Sequence, residues 1–196
     1  GDYGDEKKVG SSVGVLPFGT PMVLPDGRVF RYAQEAATAA VAGKVYVSEA
    51  PVGNEGNAAA KGLVSLAAQT IVVGSKTVIL TTGGTTQLVA DTYAAGYLTF
   101  QAGTAGIGYQ YRIKSHTGIA STAAATVTVT LDGNDAIAAT IAAGTTTIGL
   151  LKNPFKNLIL RAAASTAVGA VAGVWPVAVP ASSCGWIQRH GLASVL

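Results

Sequence analysis

Few residues in this chain are of the types that carry covalent chemistry. His116 and His190 are its two imidazoles and Cys184 its one thiol, in 196 residues. A Cys–His nucleophile pair needs the imidazole within hydrogen-bond reach of the sulfur. Cys184 and His190 have an even spacing, which places them on one face of a regular strand but about 20 Å apart along it. Folding would have to bring them together, and burial of Cys184 as a small apolar residue is the simpler expectation. Asp132, Asn134 and Asp135 could offer oxygens to calcium, but no later bidentate carboxylate completes such a loop, so an Asx turn is favoured. Gly74-Ser75-Lys76-Thr77 has the residue types of a phosphate loop, but Ser75 splits Gly from Lys and the upstream Gly is missing. Gly103-Thr104-Ala105-Gly106-Ile107-Gly108 has its glycines in the wrong order for a dinucleotide site, and no helix is expected after it. No paired carboxylates sit in a pocket-forming context. These residues predict no catalytic set, no metal and no cofactor, and therefore a protein that is not an enzyme.

The elements that would position them are strands. Tyr109, Tyr111 and Ile113 alternate with Gln110, Arg112 and Lys114, and Val127, Val129 and Leu131 alternate with threonines. Successive strand side chains point to opposite faces, so each run buries one face. The stretch from Gly108 to Ile148 reads as an antiparallel meander, its last two strands joined by a hairpin at Asp132 to Asp135. A three- or five-residue loop would set Leu131 opposite Ile137, Val129 opposite Ala139 and Val127 opposite Ile141, with every large apolar side chain on one face. Tyr109 and Tyr111 are expected in the core.

Pro25-Asp26-Gly27 between Met22-Val23-Leu24 and Arg28 to Tyr32 predicts a second hairpin, since Pro presets φ and Gly accepts positive φ. Ala33 to Ala42 is the one helix candidate, with an alanine-rich loop as the alternative and Gly43 as a stop. Further short strands are expected at Val45 to Val47, Ala68 to Leu80 (broken at Gly74-Ser75), Gln87 to Val89, Tyr97 to Phe100, Leu158 to Leu160 and Gly185 to Arg189. Turns are expected at Gly83-Gly84 and Gly169 to Gly173. Asn54 to Lys61 reads as a loop or a single helical turn. Many short strands between Gly, Pro and Asp-Gly turns indicate an all-β fold, an antiparallel sandwich or barrel with at most one short Ala-rich helix.

Residues 1–14 are polar and glycine-rich, without a period. Either they fray, or they form an extended arm that orders on a neighbouring subunit. As an arm, the candidate contacts are Asp2, Tyr3, Asp5, Glu6, Lys7 and Lys8. Residues 15–196 then form the β-rich body, with a division into two sub-lobes near residue 67. Charged residues make up 12% of the chain against 49% hydrophobic, where a soluble domain carries about 25% charged. Such a surface either meets other subunits or is covered by neutral Thr, Ser and Gly. The net charge of +3 is too small for a nucleic-acid footprint, and a single cysteine excludes an internal disulfide. The uncharged run from Ala162 to Gln188 is broken by Pro176 and Pro180 and is not expected to span a membrane.

One set of segments carries a resemblance: Leu24 to Ala33, Gly96-Tyr97-Leu98, Gly108 to His116, Leu151 to Phe155 and Gly185-Trp186-Ile187-Gln188. In this order the chain, from about Leu24 on, resembles virion structural proteins of tailed bacteriophages, especially those of aquatic hosts, several of which look like head decoration or cement proteins. Family members often run on past the stretch matching Gly185 to Leu196. The resemblance implies a capsid decoration protein on the virion surface, made in the host cytoplasm. Its implied partners are the major capsid protein and itself, as a homotrimer or alternatively a homodimer. A receptor- or glycan-binding fibre or spike head is the competing reading; it would use exposed aromatics such as Tyr93, Tyr97, Tyr109 and Tyr111.

Overall fold

The computed structural model describes residues 1–10, 15–49, 63–65, 69–82, 88–103, 105–119, 125–143, 146–161 and 169–196. The expectations for 11–14 of the arm, for Asn54 to Lys61, for Ala68, for Gly83-Gly84 and for Gln87 lie outside these. Twelve short strands are described: β1 Pro21–Val23, β2 Val29–Gln34, β3 Val45–Val47, β4 Leu63–Ser65, β5 Thr77–Thr82, β6 Tyr97–Ala102, β7 Gln110–His116, β8 Thr126–Leu131, β9 Thr147–Leu151, β10 Ile159–Leu160, β11 Val171–Val174 and β12 Cys184–His190. Every ladder is antiparallel. The fold is all-β, and its one helical element among the described residues is a 3₁₀ turn at Asp5–Lys7.

The chain divides into two units. Unit 1 comprises 1–50 and 153–196, and unit 2 is the continuous segment 51–152. The division thus falls at 50/51 and 152/153 rather than near residue 67, because the two ends of the chain pair with each other.

Unit 1 is an open six-stranded sheet in the order β1-β2-β12-β11-β3-β10. Its first hairpin turns where Pro25-Asp26-Gly27 directs. Leu24 N donates to Arg28 O, Gly27 takes φ +83°, and the Asp26 carboxylate accepts from Arg28 N and Nε. Ala33, Ala40, Tyr46, Leu158, Ala172, Trp175, Val179 and Ile187 form the main core.

The alanine-rich stretch is not a helix. Ala33 and Gln34 end β2, Glu35 bridges Leu158, and Ala40 bridges Val179. Its amides are spent on distant carbonyls, and that tertiary pairing outweighs alanine's helix propensity. Val171 to Gly173, expected in a turn, belongs to β11, which pairs with β3 around an irregularity between Val171 and Gly173.

Unit 2 is a ring of six strands, β4-β5-β8-β7-β6-β9, in which β4 and β9 meet, among the described residues, at Val64↔Thr147. Antiparallel pairing of β4 with β9 puts the chain's entry and exit at one end of the ring, as suits a segment inserted into another unit. The inward face runs as the two-residue period requires. Val127, Val129 and Leu131 are buried, while the alternating threonines are half-buried or exposed.

The expected hairpin after β8 is absent. Both edges of β8 are already used: Val129 lies opposite Val78 of β5 and opposite His116 of β7, and Leu131 opposite Ile113. No ladder is left for a third strand. After the Asp132 turn, Ile137 N donates to Ser75 O and Ile141 bridges Ile71. The predicted face nevertheless holds: Ile137 and Ile141 enter the same core as Val127, Val129 and Leu131.

Val129→Asp should therefore remove on the order of 3–5 kcal/mol from unit 2, the scale of an unpaired buried charge. Both tryptophans, Trp175 and Trp186, belong to unit 1. Circular dichroism during denaturation should show an early transition that tryptophan fluorescence does not. A melt indistinguishable from the parent's would take Val129 out of the core.

Candidate functional site

Ten residues of the expected arm are described, and they lie on unit 1. The Gly1 amino group donates to Val23 O at 3.1 Å, and Gly10 N donates to Cys184 O at 2.8 Å. Between these ties sits the 3₁₀ turn, because Asp5 Oδ2 accepts from Asp2 N and Gly4 takes φ +101°. Glu6 is buried and accepts from Gly4 N at 2.7 Å. Asp2, Tyr3, Lys7 and Lys8 remain exposed. Lys8 and Asp5 pair at 2.6 Å; the lysine's hydrogen bond lowers the Asp5 carboxyl, and Asp5 raises the Lys8 ammonium. Such an exposed pair adds little stability. The six candidate contacts therefore separate: Glu6 turns inward, Asp5 ties its own turn, and the other four face solvent.

A depression of about 340 Å³ beside this segment is bordered by Glu6, Lys7, Arg28, Gln188 and Leu196. Its amide is engaged, since Gln188 Nε2 donates to the His190 and Leu192 carbonyls.

The remaining candidates resolve into structure. Cys184 is fully buried and burial pushes its thiol up, while His190 is exposed at the far end of β12. Cys184 stands opposite Gln34 and His190 opposite Val29, so the strand keeps them apart. His116 is buried: Nε2 accepts from Tyr93 N at 3.0 Å, and Nδ1 lies 2.9 Å from Thr117 O. That network assigns the neutral Nδ1–H tautomer.

Asp132 accepts from Gly133 N and meets Arg112 Nε at 3.2 Å, while Asp135 accepts from Arg112 N at 2.7 Å. These carboxylates brace a turn, as an Asx reading requires. Among the described residues no cluster of His, Cys, Asp or Glu suits a metal ion. Gly74 takes φ +85° in the turn leading to β5, and the chain after Gly108 enters β7 rather than a helix. Tyr93 and Tyr111 belong to the core of unit 2, Tyr97 is half-buried, and Tyr109 is 49% exposed, correcting its core assignment. Tyr109 instead lies edge-on to Tyr111, with centroids 6.4 Å apart. These four tyrosines form no exposed platform. No described helix is long and apolar enough to cross a membrane.

The titratable group that reading the residues passed over is Glu35. It is 1% exposed, and its Oε2 accepts from Trp175 Nε1 at 2.8 Å. Burial lifts its carboxyl to about 7, against the smaller downward pull of the Trp175 and Ala36 N–H groups. Its signal was its isolation: it is the one charge between Arg31 and Lys44, unremarkable on a helix but not in a pleated core.

Because the folded-state value lies above the ordinary 4.5, the stability that Glu35 contributes is complete below pH 4.5 and lost as pH rises through about 7. With allowance for screening the loss is on the order of 2–3 kcal/mol. Urea denaturation followed by tryptophan fluorescence should show it in the parent and not in Glu35→Gln; equal pH profiles would contradict the burial. For Cys184, alkylation of the native protein at neutral pH should be far slower than that of a free thiol. Rapid stoichiometric labelling would revive a nucleophile. Compared with protein-family models, curated proteins and solved structures, the chain matches none.

Proposed function

We propose that this protein is a bacteriophage capsid decoration protein, not an enzyme, which binds the outside of an assembled head and stabilises it by adding contact area. One observation carries the reading: a surface poor in charge holds large apolar side chains in both units. Val15 is 85% exposed, Val23 and Leu192 are exposed in unit 1, and Val72, Val73, Val89 and Ile107 in unit 2. Scattered exposed apolar residues are ordinary, but with 12% charged residues they suit a protein that buries its surface against neighbours. The sequence resemblance supports the same reading.

In this proposal the partners are the major capsid protein and a second and third copy of the chain, with a homodimer as the alternative assembly. A trimer matches local three-fold positions of an icosahedral shell. Interfaces of about 1,600 Å² per contact give useful affinity, and repeated contacts multiply it. Because the protein binds assembled shell and not free subunits, mass action favours the shell. The outward residues of the N-terminal segment, Asp2, Tyr3, Lys7 and Lys8, are the shell contacts.

Two experiments test this. Light scattering of the free protein should give a trimer; a monomer that stays monomeric on heads removes the oligomer from the mechanism. Combining Lys7→Glu with Lys8→Glu, which leaves the Gly10 tie to β12 in place, should weaken co-sedimentation with undecorated heads while both units stay folded. Attachment as tight as the parent's would remove the segment, and no attachment by the parent would remove the function.

A further inference from the structure

Segments 35–43 and 175–183 lie outside the strands of unit 1 and run against each other. Ser182 N donates to Ala36 O at 2.7 Å, Glu35 N to Ser183 O at 2.9 Å, Ala40 N to Val179 O at 2.7 Å and Gly43 N to Trp175 O at 2.9 Å. Glu35 joins them by side chain as well, through the fully buried Trp175 indole. Tyr46, on β3, braces the first segment by accepting from Val41 N at 2.9 Å, and its ring meets Trp175 edge-on.

Among the described residues no cation balances the Glu35 carboxyl. Arg31 Nη1 donates to Gly19 O and Lys44 Nζ to Leu196 O, and no described ion pair includes Glu35. From β3 the titratable group facing it is Tyr46. From β12 Cys184 addresses Tyr32 of β2 instead. From the 181–183 turn, Ser183 Oγ donates to Ala181 O. Leu158, which Glu35 bridges, offers only an apolar side chain.

We propose that Glu35 is a proton-operated latch: the neutral acid holds segments 35–43 and 175–183 together, and the carboxylate lets them part. An ionised carboxylate among apolar side chains, with only N–H donors for company, is driven toward water. The path of least cost is local opening, because these segments are tied by scattered backbone bonds and not by a continuous ladder. Such a two-state element biased by one proton is a pH switch.

The test uses the full chain. Proton–nitrogen spectra contain two indole signals, and Trp186→Phe assigns Trp175. Between about pH 5 and about pH 9 the Trp175 indole should shift, and its solvent exchange, corrected for the intrinsic pH dependence, should rise at least about tenfold. The Ala40, Gly43 and Ser182 amides should lose protection in step. Glu35→Gln should keep all of them protected throughout, and the amides of β8 should not respond in either protein. Equal protection in parent and variant overturns the latch. Should Glu35→Gln not fold, carbon-labelled Glu carboxyls in the parent decide. Titration of Glu35 in step with lost protection supports the latch, and titration without it, or loss of protection without titration, overturns it.

Discussion

Unit 1 is held by the ladder between β2 and β12, which sets Val29–Gln34 against Cys184–His190. Carbonyls alternate along a strand. Ser183 O accepts from Glu35 N on the β2 side, so the next carbonyl, Cys184 O, points to the opposite edge, where Gly10 takes it. Farther along that edge Gln188 meets Val174 of β11. The N-terminal segment thus fills a stretch of β12 that β11 leaves open, and its placement follows from the need to satisfy a buried strand's backbone. The sheet could not assemble from either end of the chain alone.

That ladder also explains how a complete second unit can interrupt the first. Loop closure costs rise only logarithmically, about 0.6 kcal/mol for each doubling of length, so inserting residues 51–152 adds little to the cost of joining β2 to β12. Unit 2 fits the position because its ring begins and ends at one end. Its own coherence comes from β8, flanked by β5 and β7, with Val127, Val129 and Leu131 facing a core of Leu80, Leu98, Ile113 and Ile148. Most of these pairings are distant in sequence, which predisposes such a chain to slow folding.

Against this apolar economy Glu35 is an exception. A carboxylate buried with no counter-cation among the described residues opposes stability at high pH, and it sits where segments outside the ladders are joined by scattered backbone bonds and one indole hydrogen bond. A sequence optimised only for stability would carry Gln or an apolar residue there. The proposed attachment role and the latch rest on separate observations, the first on surface composition and the second on one buried group.

The residues by themselves determined the local features. Alternation fixed which side chains of β7 and β8 turn inward, and it grouped Val127, Val129, Leu131, Ile137 and Ile141 on one face. Pro25-Asp26-Gly27 marked the β1–β2 turn, and Cys184 was legible as a buried thiol. What the chain did not disclose were the partners. A two-residue period specifies a face but not a neighbour, because backbone donors and acceptors are the same at every position. Hence Ile137 pairs toward Ser75 rather than Leu131, and the division falls at 50/51 and 152/153. Tyr109 stays outside the core for a related reason: it precedes β7, and alternation carries no mark of where a strand begins. Glu35 became visible only once tertiary pairing had turned an apparent helix into extended chain, for burial is a property of the assembled core and not of the ten residues around it.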